Sequence, residues 1–304
     1  MNGRGFSRKQ SVNLILTVLE IVAPVFILAA IGFTWVKLGF DYRIEFVTRL
    51  AMTLSVPCLI FAALMRTEIA PDALTTVSLA AAAAYALVTV GCFVLVKLGR
   101  MDVRTYLAPL IFGNTGNVGL PLALFAFGDE GLGYAVVIFA IMAIYSFTFG
   151  VWLVSGGGSP TKVIKEPLVA ATVLGAVFLV MDWETPRFLT NAIELIGQMA
   201  IPMMLITLGV AVARLKPRGV TKAIIASVLK AGICIAAATA AGIWFKLTSI
   251  PFAVLILQVS TPVAVTSYLL SVKYEADSDA VAGLVVVSTL LAVVYIPLTL
   301  AFLV

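Results

Sequence analysis

The chain has 304 residues, of which 62% are hydrophobic and 12% charged, and its mean hydropathy is +1.13. A soluble domain averages about 45–50% apolar and about 25% charged residues; one aqueous core cannot hide the surplus, so a water-soluble globular protein is excluded and an integral membrane protein is expected. The net charge of +5 sits in short breaks between apolar runs rather than in a patch, which argues against a nucleic-acid partner.

A bilayer core about 30 Å thick takes roughly 20 apolar residues per helix. That rule divides the chain into ten segments, near residues 14–38, 44–65, 73–98, 105–127, 131–154, 167–181, 187–212, 220–246, 251–272 and 279–303, with charges or turn formers between them. The long break is residues 155–166, which open Ser155-Gly-Gly-Gly-Ser-Pro160 and have the composition of a flexible linker at the middle of the chain. Loops after odd-numbered segments hold 13 Lys and Arg, and the opposite side holds 6. The middle linker is therefore expected in the cytoplasm and both termini outside a multi-pass cell (inner) membrane protein. Arg4, Arg8 and Lys9 ahead of the first segment pull the other way and resemble the start of a signal peptide. Glu20 and Pro24 interrupt that segment and no clean small-x-small site follows, so it reads as a spanning helix.

Repeats come next. Segment two carries Ser55-Val-Pro57 and segment seven carries Ala200-Ile-Pro202, 145 residues further on. Segment four runs through Asn114-Thr115-Gly116 to Asp129-Glu130, and segment nine through Ser260-Thr261-Pro262 to Glu275 and Asp277. Two halves of five segments, residues 1–154 and 167–304, are expected around the linker at 155–166. Because five is odd, the second half enters the membrane from the opposite side, as an inverted repeat.

The richest stretch is Phe112-Gly-Asn-Thr-Gly-Asn-Val-Gly-Leu-Pro-Leu122. Gly and Pro weaken a helix, and backbone groups freed inside hydrocarbon must find partners or line a cavity. Pro121 cannot donate to the carbonyl of Asn117, leaving it to a ligand. Asn114 and Asn117, three apart, share one helical face, and their amides donate to an anion or accept from a cation. Gln258, Ser260, Thr261 and Thr266 surround Pro262 in the same way. Matched discontinuous helices mark a transporter's midplane site, and half-helix N-termini favour a carboxylate. The alternative is that these small residues only allow close helix packing.

At these residues the sequence resembles the auxin efflux carrier family, which contains the plant PIN carriers and bacterial malonate and other dicarboxylate carriers. The resemblance is carried by Gly113-Asn-Thr-Gly-Asn-Val-Gly-Leu-Pro-Leu122, Phe127-Gly-Asp-Glu-Gly131, Pro202-Met-Met-Leu-Ile-Thr-Leu-Gly209 and Thr261-Pro-Val-Ala264, with the spacing of the segments. It implies an all-α polytopic fold of ten helices as two inverted five-helix repeats, like that of the bile-acid symporters, in which helices four and nine break and cross at their prolines. It also implies a scaffold of helices one, two, six and seven, a mobile transport unit of three to five and eight to ten, and a homodimer through the scaffold. The substrate site it implies comprises Asn114, Asn117, Pro121 and Pro262, with Ser55 and Tyr145 the nearest matches on segments two and five; Thr115, Ser260 and Thr261 join the candidate site as polar residues of the two breaks themselves. The short linker is unlike the long cytosolic loop of the large plant carriers, which favours a bacterial-type member and weakens auxin itself as the substrate.

Ionisable residues within membrane segments are the candidates for coupling. These are Glu194, Lys230 and, near the start of the first segment, Glu20; Lys230 reaches toward a carboxylate or snorkels toward Arg218 and Lys222. Asp129, Glu130, Asp277 and Asp279 read as solvated loop residues. No His is present, and Cys58, Cys92 and Cys234 lie singly in apolar runs, so no metal site, cofactor or disulfide framework is expected. A sodium site could draw on Asn114, Asn117 and Gln258; proton coupling or none is preferred to sodium. An intramembrane protease would need paired helical aspartates, a Ser with a His, or a zinc motif, and none is present. The expected protein is a non-enzymatic secondary transporter of a small organic anion, a mono- or dicarboxylate. The rivals are a sodium-coupled symporter of the bile-acid type, a channel and a non-transporting receptor.

Overall fold

The computed structural model describes residues 8–66, 69–156, 167–215 and 219–303. Among them the fold is all-helical, with one isolated antiparallel bridge as its only β-structure. α1 (Arg8–Lys37) takes the first predicted segment. α2 (Ile44–Leu50), a π-helical turn (Ala51–Ser55) and α3 (Val56–Arg66) form the second, and α4 (Pro71–Leu98) the third. α5 (Val103–Ile111) is followed by a break, a π-turn (Thr115–Gly119) and α6 (Leu120–Tyr145), then by a π-turn (Ser146–Gly150) and α7 (Val151–Ser155). In the second half come α8 (Pro167–Met181), α9 (Arg187–Gln198), α10 (Ala200–Arg214), α11 (Val220–Trp244), α12 (Ser249–Val259), α13 (Val265–Lys273) and α14 (Ser278–Leu303).

Seven described stretches are long and apolar enough to cross a membrane, and Ala170–Met181 and Ser249–Val259 are shorter apolar helices. The ten-segment division differs at the end of segment four, and the ninth segment is broken as expected. The expected loop Gly128–Gly131 is a kink within α6, where Gly128 adopts φ 63°, ψ −155°, a conformation that side chains resist. Segment nine is two short helices, α12 and α13, neither long enough to span alone. The basic tail up to residue 7 and linker residues 157–166 lie outside the described residues.

α4 shows why the chain needs a bilayer. Ala80, Ala84, Val88, Cys92 and Val96 are buried, while Leu79, Leu87, Val90 and Val94 are exposed, so both faces are apolar. A helix apolar all round belongs in protein or in lipid. Its inner face packs on α11, α12 lies on α6, α1 on α10 and α8 on α3. The α1–α10 contact is backbone to backbone. A Cβ on Gly209 would overlap the Ala29 carbonyl, and one on Gly32 would overlap the Ile206 carbonyl. Small residues at such crossings let membrane helices approach closely. Gly209→Ala forces the two backbones apart, an overpacking that costs about 1–3 kcal/mol. The expected result is a melting temperature in detergent lower by about 5 °C, measured by intrinsic fluorescence.

Prolines loosen two helices at matched places. Pro57 has no N–H for the Thr53 carbonyl, and the turn before it widens to π-helix. Pro202 likewise leaves Gln198 without a donor, and the chain changes from α9 to α10 at Met199. On the side of the odd-numbered loops, Arg104 ties three elements together. Its guanidinium donates to the carbonyls of Val154 (2.7 Å) and Tyr274. Asp102 caps α5 by accepting the Thr105 N–H at 2.8 Å. Hydrogen bonding from Thr105 holds its carboxyl below the usual range, against partial burial and with help from the Arg104 amide and guanidinium. Because the folded value is depressed, the cap's stabilisation is complete above the unfolded value of about 4 and is lost as pH falls through the folded one. Asp102→Ala is therefore expected to melt below the parent at neutral pH, by the equivalent of about 1 kcal/mol. Thermal scans at successively lower pH should find the gap narrowing as the folded carboxylate protonates.

Candidate functional site

The breaks in the fourth and ninth segments meet. Gly113 and Val263 form the antiparallel bridge, with the Asn114 N–H donating to the Pro262 carbonyl at 2.7 Å and the Ala264 N–H to the Phe112 carbonyl at 3.4 Å. Glycine at 113 is required by proximity, since a Cβ there would overlap the Thr261 hydroxyl. The rest of the ninth-segment break is served by neighbouring helices. Tyr295 donates to the Ser260 carbonyl (2.8 Å), Lys230 to the Thr261 carbonyl (2.7 Å), and the Val263 N–H to the Ser288 hydroxyl (2.9 Å). This accounts for backbone groups that would be costly if left unpaired in an apolar interior.

The place of the fourth-segment break corrects one expectation. The chain leaves helix at Phe112–Asn114, and Pro121 lies in the first turn of α6. The π-turn Thr115–Gly119 runs on into α6 with Gly119 already helical, so Pro121 loosens the turn before it, as Pro57 does, while the break itself lies earlier in the chain. Pro262 lies in the ninth-segment break itself.

With the backbone paired, several side chains remain unmatched. The Asn114 Nδ2, Thr115 Oγ1, Gln258 Oε1 and Ser55 Oγ atoms are buried without a hydrogen-bond partner among the described residues. Gln258 still donates to the Ala135 carbonyl at 3.4 Å, and its Oε1 stands where a Cβ on Gly119 would fall. The Ser260 hydroxyl turns back to the Leu257 carbonyl and the Thr261 hydroxyl to the Gln258 carbonyl (2.8 Å), so both are spent on ending α12. Tyr145 shares a 3.0 Å hydrogen bond with Thr89, stands edge-on to Phe112 and stacks on Phe149, supporting the break from behind.

Among the described residues, one cavity reaches the π-turn of the fourth segment and a larger one lies elsewhere. The small one, about 40 Å³, is lined by Asn117 and Thr266 with Thr48, Met52, Met204 and Thr207. It lies at the N-terminal ends of the π-turn Thr115–Gly119 and of α13, where N–H groups without intrahelical partners create a positive end. The large one, about 780 Å³, lies between α3, α9 and the kink of α6. Its charged lining is Arg66, Asp129, Glu130 and Glu194, with Leu59, Ala62, Ile69 and Leu132 among the apolar walls. Arg66 and Glu194 form an ion pair, Glu194 being the more enclosed at 21% exposed against 61% for Arg66. Neither Asn114 nor Pro262 is among the residues that line either cavity.

Asp129 and Glu130 are exposed, as a solvated loop would be, and Glu20 is exposed on α1. Lys230 does not snorkel: it is 2% exposed and bound to Thr261. Arg66, Ser288 and Tyr295 escaped the sequence reading. Arg66 looked like one more loop charge, whereas Ser288 and Tyr295 were signalled by being polar in an apolar helix.

The sequence matches the family described as membrane transport protein, over residues 17–163 and 152–300. The chain belongs to that family, the family of the auxin efflux carriers. It is 25% identical over 204 residues to an uncharacterized transporter of Methanocaldococcus jannaschii, covering 62% of this chain and 64% of that one. It is 28% identical over 194 residues to an uncharacterized transporter of Methanothermobacter thermautotrophicus, covering 61% and 63%. The matches thus span less than two-thirds of either relative. The resemblance seen in the sequence motifs is borne out, and the family and both relatives are membrane transporters rather than enzymes.

Proposed function

We propose that the protein is a secondary transporter that carries a small organic anion, a mono- or dicarboxylate, across the cell (inner) membrane by alternating access. The observation that carries this reading is the meeting of two broken segments, with the buried Asn114 Nδ2 left without a partner among the described residues. An unpaired amide N–H is a donor awaiting an acceptor, and two helix N-termini beside it select a negative one. Asn117 and Thr266 complete the contact set, and Thr115, Gln258 and Ser55 add hydroxyl and carbonyl groups for the rest of the substrate.

The pseudo-symmetry of the molecule supports an inverted repeat of residues 1–154 and 167–304. The first segment packs on the seventh as the sixth packs on the second. The cavities match in the same way. Leu59 and Ala62 of the large one fall 145 residues before Met204 and Thr207 of the small one, and Gly197 and Gln198 fall 146 after Ala51 and Met52. One cavity is open toward the even-numbered loops and its counterpart is nearly closed toward the odd-numbered ones, as two ends of an alternating path would be. The scaffold is then α1–α3 with α8–α10, which also supplies a homodimer contact. The transport unit is α4–α7 with α11–α14, and the coupling ion is a proton or none. Termini outside and the linker in the cytoplasm complete the topology.

Cysteine accessibility tests this reading. With Cys58, Cys92 and Cys234 replaced, Ala63→Cys is expected to react with a membrane-impermeant maleimide from one face and Met52→Cys, more slowly, from the other. Malonate or indole-3-acetate should shift the two rates in opposite directions. Labelling of both from the same face, or rates indifferent to every carboxylate tried, would refute alternating access at this site.

A further inference from the structure

We propose that Lys230 is a cation built into the crossing, which stands behind the paired breaks and supplies the positive charge that an anion at Asn114 and Asn117 requires, in place of a coupling metal cation. This rests on the transporter reading above and specifies its ion requirement. Lys230 lies on α11 at 2% exposure, and its Nζ donates to the Thr261 carbonyl at 2.7 Å, with the Cys234 Sγ 3.8 Å away.

The polar side chains shown near it come from its own helix, α4 and α14. Its own helix offers Cys234 and the buried Ser227, whose hydroxyl has no partner among the described residues. α4 offers Cys92, within electrostatic reach of Lys230, and Tyr85, within reach of Cys234. α14 offers Tyr295, already committed to the Ser260 carbonyl. None of these is a carboxylate, and among the described residues the ion pair found is Arg66–Glu194, elsewhere. Burying a cation without a counter-charge costs several kcal/mol, so an unpaired lysine inside a membrane segment is a functional feature by default.

The connection to the site is short. Thr261 lies just past the C-terminal end of α12, whose last carbonyls carry partial negative charge and offset part of that cost. One residue on, the Pro262 carbonyl takes the Asn114 N–H. The ammonium and the Asn114 backbone thus hold neighbouring carbonyls of one stretch of chain, and an anion at the Asn114 side chain would share their low-dielectric interior, where charges act over longer range. The empty site keeps an uncompensated charge and the loaded site does not. A monoanion and Lys230 would travel together on the transport unit as a neutral pair, so charge moves when the empty unit returns.

The test uses the full chain in proteoliposomes, with malonate and indole-3-acetate as probes and the half-saturating concentration as readout. For the parent, replacing sodium by choline is expected to leave that concentration unchanged. Lys230→Met is expected to raise it at least about tenfold. A parent that loses about tenfold in affinity without sodium overturns the built-in cation, and this arm needs no variant to fold. Lys230→Met with parental affinity also overturns it, while leaving the transporter reading intact. A parent with no saturable response to any carboxylate overturns both.

Discussion

Asn114→Ala and Asn117→Ala are each expected to weaken carboxylate binding by about 10–100-fold while the protein folds as before. The magnitude is that of one hydrogen bond to a charged group, about 1.5–3 kcal/mol. The indifference of stability is the more telling half. The Asn114 Nδ2 atom has no partner among the described residues to lose, and the Asn114 backbone, which does hold the crossing, is untouched by the substitution. Asn117 is half-buried on a cavity wall, so truncation removes little packing. Binding by isothermal titration in detergent, with melting temperature alongside, separates the two quantities. A variant that lost stability and affinity together would make the asparagines structural.

Gly113→Val is expected to abolish transport, at a thermal cost of a few degrees. The added branch would overlap the Thr261 hydroxyl and press on the Thr261 carbonyl, which Lys230 holds. Overpacking of this kind costs about 1–3 kcal/mol and is relieved by moving the two breaks apart. Separation breaks the Asn114–Pro262 hydrogen bond and misaligns both half-helix N-termini, so the loss of function should far exceed the loss of stability. Uptake assays on the variant, normalised to folded protein by size-exclusion chromatography, give the comparison. Near-parental uptake would mean that the crossing geometry is not part of the site.

Much of this was legible in the chain because bilayers impose simple rules. Apolar runs bounded by charges locate α1, α4, α11 and α14 closely, since a spanning helix cannot hide its length. The stretch Gly113–Gly119 announced a broken helix because three glycines and two asparagines have no reason to lie in hydrocarbon unless the backbone is served from elsewhere. The position of the break was harder to read. Pro121 drew attention as the breaker, yet Gly113 decides it, through a close approach of Thr261 that no local pattern reveals. The family match later placed the chain among transporters as the motifs had implied.

Apart from the crossing of segments four and nine, side-chain pairings between distant segments were not legible. Glu194 was visible as an acid in an apolar helix, but its partner Arg66 lies 128 residues away and resembled a loop charge. Lys230 could equally have turned toward headgroups; only the packing of α11 against the ninth-segment break sends it to Thr261. Tyr145 is another case. An aromatic implied beside the substrate is engaged with Thr89 and Phe112, contacts that its place in the sequence did not show.

The central claim is that an anion binds where the two broken segments meet and is carried from there across the membrane. Its most direct test is the current from proteoliposomes on a solid-supported membrane, challenged with a panel of carboxylates at two pH values, with and without sodium. The account predicts a saturable current for one class of acid, unchanged when choline replaces sodium and strongly reduced in Asn117→Ala. A current that persists at full size and affinity in both Asn114→Ala and Asn117→Ala would contradict it.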